Sequence, residues 1–137
     1  MKPNLKYIFL TIAVLVIFGI YLANKPHRNV SRSEPEYFID AKSLFTAFEE
    51  YEEKADAKFL DRVIQVTGVV REVVQDDDGN VRVTLDTGND FFGIVCELQS
   101  SSHWTKADFK AGQEVTFKGL CTGMSMDVVL VRCVRVS

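Results

Sequence analysis

A small, mainly β domain, with five strands closed into a barrel behind one amphipathic helix, is what the sequence predicts, and an apolar helix comes before it. Three observations carry this. Residues 7–23, YIFLTIAVLVIFGIYLA, hold no charge. A helical stripe of apolar residues runs from Ala41 to Phe59. From about residue 62 the apolar period changes to that of strands, in five stretches parted by turn residues.

The 137 residues suit one small domain and an accessory segment. Residues 1–6 form a charged tail. A helix over 7–23 reaches about 25 Å at ~1.5 Å per residue, near the short limit for a bilayer. Tyr7 and Tyr21 stand at its ends, where amphipathic rings prefer to lie. A cleaved secretory signal is the main rival, with MKPNLK as its basic start. Tyr21 stands where cleavage wants a small residue, and no Cys follows the run to take a lipid. The expectation is an uncleaved single-pass anchor, with the bilayer as partner through residues 7–23. Lys2 and Lys6 on one side balance Lys25, Arg28 and Arg32 on the other, so charge does not set the orientation. The signal-like start favours an extracytoplasmic C-terminal domain. Asn29-Val30-Ser31 is a glycosylation sequon of the kind that chance supplies.

Residues 24–39, with two prolines and charges of both signs, predict a linker. Asp40 suits a helix N-cap. Ala41, Leu44, Phe45, Phe48, Ala55 and Phe59 share one stripe, so a helix is expected over 41–56 within a helical segment 40–58. Its acidic side, Glu49, Glu50, Glu52 and Glu53, reads as a solvated face. The barrel is expected over 59–137. RVIQVTGVVREVVQ at 62–75 is the first strand, and Gly68 within it marks a bulge or tight bend. DDDGN at 76–80 is a turn. VRVTLD at 81–86 alternates, and FFGIVCEL at 91–98 puts Phe92, Ile94, Cys96 and Leu98 on one face. A short helix or turn around Trp104 and Phe109 interrupts the pattern. QEVTFKGLC at 113–121 and MDVVLVRCVRV at 126–136 complete it. Three strands, a helical insertion and two more strands is the order of an OB-fold barrel.

ADAKFLDRVIQVTGVV at 55–70, Gly93-x-x-Cys96, GQEVTFKG at 112–119, Cys121-Thr122-Gly123 and Asp127-Val128-Val129-Leu130-x-x-Cys133 resemble the tRNA-anticodon-like OB-fold family. The resemblance covers about residues 41–137. It implies an OB-fold and an envelope location, since the family's members are mostly small bacterial proteins with an N-terminal anchor or lipid signal. Nucleic-acid binding follows only by analogy of fold.

Composition restricts function. The formal charge is −3, whereas nucleic-acid binders are usually strongly basic. Over residues 57–137 there are 9 Lys and Arg against 11 Asp and Glu, a net charge of −2. Ser100 to His103 forms no nucleophile elbow, and no phosphate-cradling Gly-rich motif appears. The expectation is a non-enzymatic binding module without catalytic residue, cofactor or metal. Asp76, Asp78 and Asn80 have the spacing of a calcium loop, but Val81 stands where Gly is required and Thr87 where a bidentate Glu is required. A metal site of Cys96, His103 and Cys133 matches no zinc spacing.

If the domain binds a ligand, the OB face of strands two and three is the candidate surface, with Arg82, Phe91 and Phe92, and Arg71 nearby. The partner is then an envelope protein, a peptide or an oligosaccharide. Nucleic acid is disfavoured by Asp76, Asp77, Asp78, Asp86 and Asp90. Three cysteines allow at most one internal disulfide. A hairpin centred near 124–125 sets Cys121 opposite about residue 128 and Cys133 opposite about 116. That leaves the two five rungs apart, on the order of 17 Å. Cys96 and Cys133 share one barrel rim and are the favoured pair. Three buried cysteines acting as small apolar residues is the other reading.

Overall fold

The computed structural model describes residues 4–23, 29–100 and 103–136. Helix α1 spans Leu5–Ala23 and none of its side chains is buried. It is long and apolar enough to cross a membrane. The remaining elements are β1 (Tyr37–Asp40), α2 (Ala41–Glu50), α3 (Glu52–Phe59), β2 (Val63–Gln75), β3 (Val81–Leu85), β4 (Ile94–Leu98), β5 (Glu114–Met124) and β6 (Val128–Arg135), with one 3-10 turn at Lys106–Asp108.

Strands β2 to β6 form the closed five-stranded barrel, in the order β2-β3-β4-β6-β5, with β5 pairing back onto β2. Only β4 and β6 are parallel within it. The length of β2 makes closure possible. Val63–Val69 pair with β5 and Val70–Gln75 with β3, with a bulge between Val70 and Glu72 where the partner changes. Alternation places Ile64, Val66, Val83, Leu85, Ile94, Phe117 and Leu130 inside, all without solvent exposure. Each such side chain contributes about 1.5–3 kcal/mol relative to exposure.

The apolar stripe of the preceding helix joins the same core. Asp40 caps α2 by accepting from the Ser43 amide at 3.0 Å. The shorter bond from the Ser43 hydroxyl, and then this one, hold the Asp40 carboxyl below its usual range. A Cβ at Gly68 would come 2.8 Å from the Ala41 Cβ, so the start of α2 can lie on the barrel only because position 68 lacks a side chain.

Three sequence expectations are corrected. The helix over 41–56 is two helices, broken at Tyr51 (φ −143°, ψ 73°). In one continuous helix Glu49 would meet Glu52 and Glu53 one turn away, and such like-charge pairs are unfavourable. The break also brings the Phe48 and Phe59 rings to 6.0 Å. Of the linker expected over 24–39, residues 24–28 lie outside the described residues and the rest is engaged with the domain. Tyr37–Asp40 is a sixth strand, parallel to Ile64–Thr67, and Val30 is 2% exposed. The Ser31 carbonyl accepts from Lys118 Nζ at 3.0 Å, and Arg62 pairs with Glu36 at 2.9 Å. The third barrel strand begins at Ile94, not at Phe91, because Phe91 and Phe92 belong to a turn.

Candidate functional site

OB barrels commonly bind along their second and third strands, between the first and last loops of the barrel. In this chain that surface is the outside of β3 and β4, flanked by the turns 76–80 and 125–127. Strand register sets its outward residues in rows. Val74, Arg82 and Glu97 form one, and Glu72, Thr84, Val95 and Val129 the next. Arg82 Nε lies 3.6 Å from Glu97 Oε1, and both side chains are well exposed. With Asp76 and Asn80 they line a shallow cleft of about 410 Å³.

The turn 76–80 is held by Asp76, which accepts from the Asn80 amide at 2.8 Å and from Asn80 Nδ2 at 3.1 Å. The side-chain bond from Asn80, followed by the backbone one, holds its carboxyl below the usual range. Asp76 therefore shapes the cleft edge through local bonds.

The opposite end of the face is the connection 86–93. Arg71 donates to Asp86 Oδ1, to the Asn89 carbonyl and, at 3.2 Å, to the Phe92 carbonyl. Thr87 Oγ1 donates to the same Phe92 carbonyl at 2.9 Å. Asn89 Oδ1 accepts from the amides of Phe91 (2.9 Å) and Phe92 (3.0 Å). Asp86 is held below the ordinary carboxylate range, first by the Arg71 hydrogen bond and then by the Gly88 amide. This bracing turns Phe92 onto the core and leaves Phe91 84% exposed. The Gly93 amide donates to Asp127 Oδ1 at 2.7 Å, and the Val128 amide donates to the Gly93 carbonyl. The last barrel loop is thereby tied to this connection, and Met126, 64% exposed, stands at the same rim as Phe91.

The four side chains expected to form one ligand surface thus occupy distinct places. Phe91 is presented to solvent. Arg82 lies in the cleft at the other end of β3. Arg71 is a brace whose hydrogen bonds are spent on the loop, and Phe92 is half buried. The sequence reading missed Met126 and Glu97. Glu97 was accessible from strand alternation, which opposes it to the apolar residues of β4. Met126 had no local signal, because only the Gly93–Asp127 bond brings its turn to this face.

The cysteine register also differs from expectation. Bulges between Lys118 and Leu120 and between Cys121 and Gly123 set Cys121 opposite Leu130, not about 128, and move Cys133 from about 116 to beside Gly119. The expected five-rung separation of Cys121 and Cys133 is accordingly too long. All three cysteines are free thiols and buried. Cys133 lies beside Leu98 on the parallel partner strand, with the Cys96 thiol in hydrogen-bonding contact. Burial, and then that contact, push the Cys133 thiol well above its usual range. Burial pushes the Cys121 thiol up to about 11. His103 is exposed and so stands apart from this buried pair. Among the described residues no three His, Cys, Asp or Glu side chains gather in a way that could hold a metal ion. Ser101 and Ser102, of the Ser100–His103 stretch, lie outside the described residues.

A closed five-stranded barrel with an open outer face defines an OB-fold domain, and the apolar helix before it has the length and composition of a membrane anchor or a signal. The chain belongs to the tRNA_anti-like family, whose model matches residues 1–135. Its fold is similar to the crystal structure of a lipoprotein from Klebsiella pneumoniae subsp. pneumoniae, described there as a candidate nucleic acid-binding protein. The two share 18% identity with a TM-score of 0.56, over 72% of this chain and 91% of the other. No curated protein matches the chain.

Proposed function

We propose that this chain is a membrane-anchored binding module of the cell envelope, without catalytic chemistry, whose β3–β4 face takes a peptide, a protein or an oligosaccharide. Residues 7–23 are retained as a single-pass anchor, and the barrel faces away from the cytoplasm. The observation that carries the reading is the Phe91 ring, 84% exposed and braced in place, with Met126 on the same rim. An aromatic held out on rigid backbone loses little entropy on binding and suits an apolar side chain or a sugar face.

The charges around it argue for the same classes. Arg82 is the one cation among the outward residues of β3 and β4, and Glu97 opposes it. Asp86, Asp90 and Asp127 lie on the connecting loops. Phosphate affinity comes chiefly from cations, so this face is poorly furnished for a nucleic-acid backbone. Chemical-shift mapping on the full chain in nanodiscs, with a peptide panel and with glycan fragments, is expected to perturb the amides of 89–93 and 125–128. Perturbation confined to other surfaces overturns the reading.

A second reading has one observation in its favour: the structural neighbour is described as a candidate nucleic acid-binding lipoprotein. In that case the barrel faces the cytoplasm and Phe91 stacks on a base. A reporter fused at the C-terminus separates the two. Activity outside the membrane supports the envelope module, and cytoplasmic activity with salt-sensitive oligonucleotide binding supports the second reading.

A further inference from the structure

We propose that the domain rests on the bilayer in one orientation, with the surface around Ser31, Arg32 and Lys118 docked on anionic phospholipid head groups and the β3–β4 face turned outward. The proposal rests on the anchor reading above and adds a second, electrostatic contact with the membrane.

The first argument is the length of the tether. The apolar helix ends at Ala23, and Val30 is already buried in the domain. The intervening chain reaches about 20 Å even when fully extended. The polar layer between the hydrocarbon and water takes up about 5–7 Å of that. The point where the chain joins the domain is therefore kept at the membrane surface.

The second argument is where that point lies on the barrel. Lys118 is on β5, and its Nζ leaves the barrel to reach the Ser31 carbonyl. In the closed order β2-β3-β4-β6-β5, strand β5 touches β2 and β6 and lies across the barrel from β3 and β4. The chain thus enters on the side opposite the candidate binding face.

The third argument is charge. Arg32 is exposed on the entry segment, directly after Ser31, whose carbonyl Lys118 Nζ reaches. Glu34 is the acidic residue that opposes them on the segment, while Glu36 is engaged by Arg62. The far side of the barrel carries Asp76, Asp77, Asp78, Asp86 and Asp90. Juxtamembrane cations are attracted to anionic lipid and carboxylates are repelled. Both ends of this charge asymmetry favour the same orientation.

The test uses the full chain in nanodiscs of phosphatidylcholine, alone or mixed with phosphatidylglycerol, and a lipid bearing a head-group quencher. A fluorophore is placed at Ser31→Cys or at Asp77→Cys, and the buried native thiols stay unlabelled. In anionic discs the label at position 31 is expected to be quenched several-fold more than the label at position 77. That ratio should shrink in neutral lipid, at 1 M salt, where screening is nearly complete, and in the Arg32→Glu, Lys118→Gln variant. Arg32→Glu alone, at an exposed position, should give an intermediate ratio and guards against misfolding of the double variant. Equal quenching at the two positions in an inserted chain overturns the docked orientation alone, as does a ratio indifferent to lipid charge and salt. A chain that does not enter the discs overturns the anchor reading as well.

Discussion

Arg71 and Asp86 are joined across the β2–β3 pair, and the same guanidinium holds the carbonyls of Asn89 and Phe92. One side chain on the barrel wall thus sets the shape of the loop that presents Phe91. Arg71→Ala should cost about 1–3 kcal/mol, the usual range for leaving a part-buried acceptor, here the Asn89 carbonyl, unpaired. Amide exchange should quicken at Phe91 and Phe92 ahead of the barrel strands. A variant with unchanged exchange at 89–93 would show that the loop holds itself.

The pair also predicts a pH dependence. The folded Asp86 carboxyl is depressed, so it binds its proton less readily than in the unfolded chain. Its contribution is present above the unfolded value, near 4, and is lost as pH falls through the lower folded value. Acid titration of unfolding should be shallower in Asp86→Asn than in the parent chain over that window. Identical slopes would remove Asp86 as a contributor.

Phe91 and Phe117 make opposite forecasts. Phe91→Ala should leave stability within about 0.5 kcal/mol, as for exposed positions generally, while weakening a bound peptide or glycan by tenfold or more. Phe117, fully buried, should cost about 3–5 kcal/mol when cut to Ala. Chemical denaturation and titration of the two variants separate a presented ring from a packed one.

Gly119 lies on β5 packed directly against β6. A Cβ there would lie 2.5 Å from Cys133 Sγ and 3.1 Å from Leu130 Cβ. Gly119→Ala should destabilise by about 1–3 kcal/mol through overpacking. Combined with Cys133→Ala, which removes the nearest clashing atom, the loss should be smaller than the sum of the two. Strict additivity would place the strain elsewhere.

The thiols respond to oxidant and to alkali. When the reduced chain is refolded in the presence of a disulfide oxidant, which takes up the electrons while the thiols are still accessible, Cys96 and Cys133 should cross-link, each giving up one proton and one electron, while Cys121 remains free. The chain-entropy model assigns such a loop roughly 3–4 kcal/mol. Peptide mapping that finds Cys121 in the bridge contradicts this. In the reduced protein the Cys121 value of about 11 lies above the ordinary 9.0. The neutral thiol is the folded form, so its contribution holds below pH 9 and fades between 9 and 11. Cys121→Ala should lose that alkaline slope.

The barrel was legible because its strands alternate and its turns carry Gly, Asp and Asn at the ends of those runs. The β1 strand was hidden because it is four residues long and follows two prolines, and its pairing depends on the distant Ile64–Thr67 segment. The break at Tyr51 was hidden because the apolar stripe continues through it, and only the crowding of Glu49, Glu52 and Glu53 hinted otherwise. The candidate binding face was only partly legible. Alternation placed Arg82 outward, but Phe91 and Phe92 are adjacent aromatics in a turn, where no period says which one faces solvent. Arg71 took its role from three acceptors 15–21 residues away, and no local pattern records that.

The short strand between α1 and the barrel has a mechanical side. Under the proposed anchoring, tension on α1 would pass through Ser31, held by Lys118, then through the Arg62–Glu36 pair, and then along four residues hydrogen-bonded in parallel to β2. These contacts stand in series ahead of the helices and the closed sheet. A pull on α1 would load this strip, which lies outside the closed sheet, before the barrel, and the strip is expected to part first while the barrel keeps its shape.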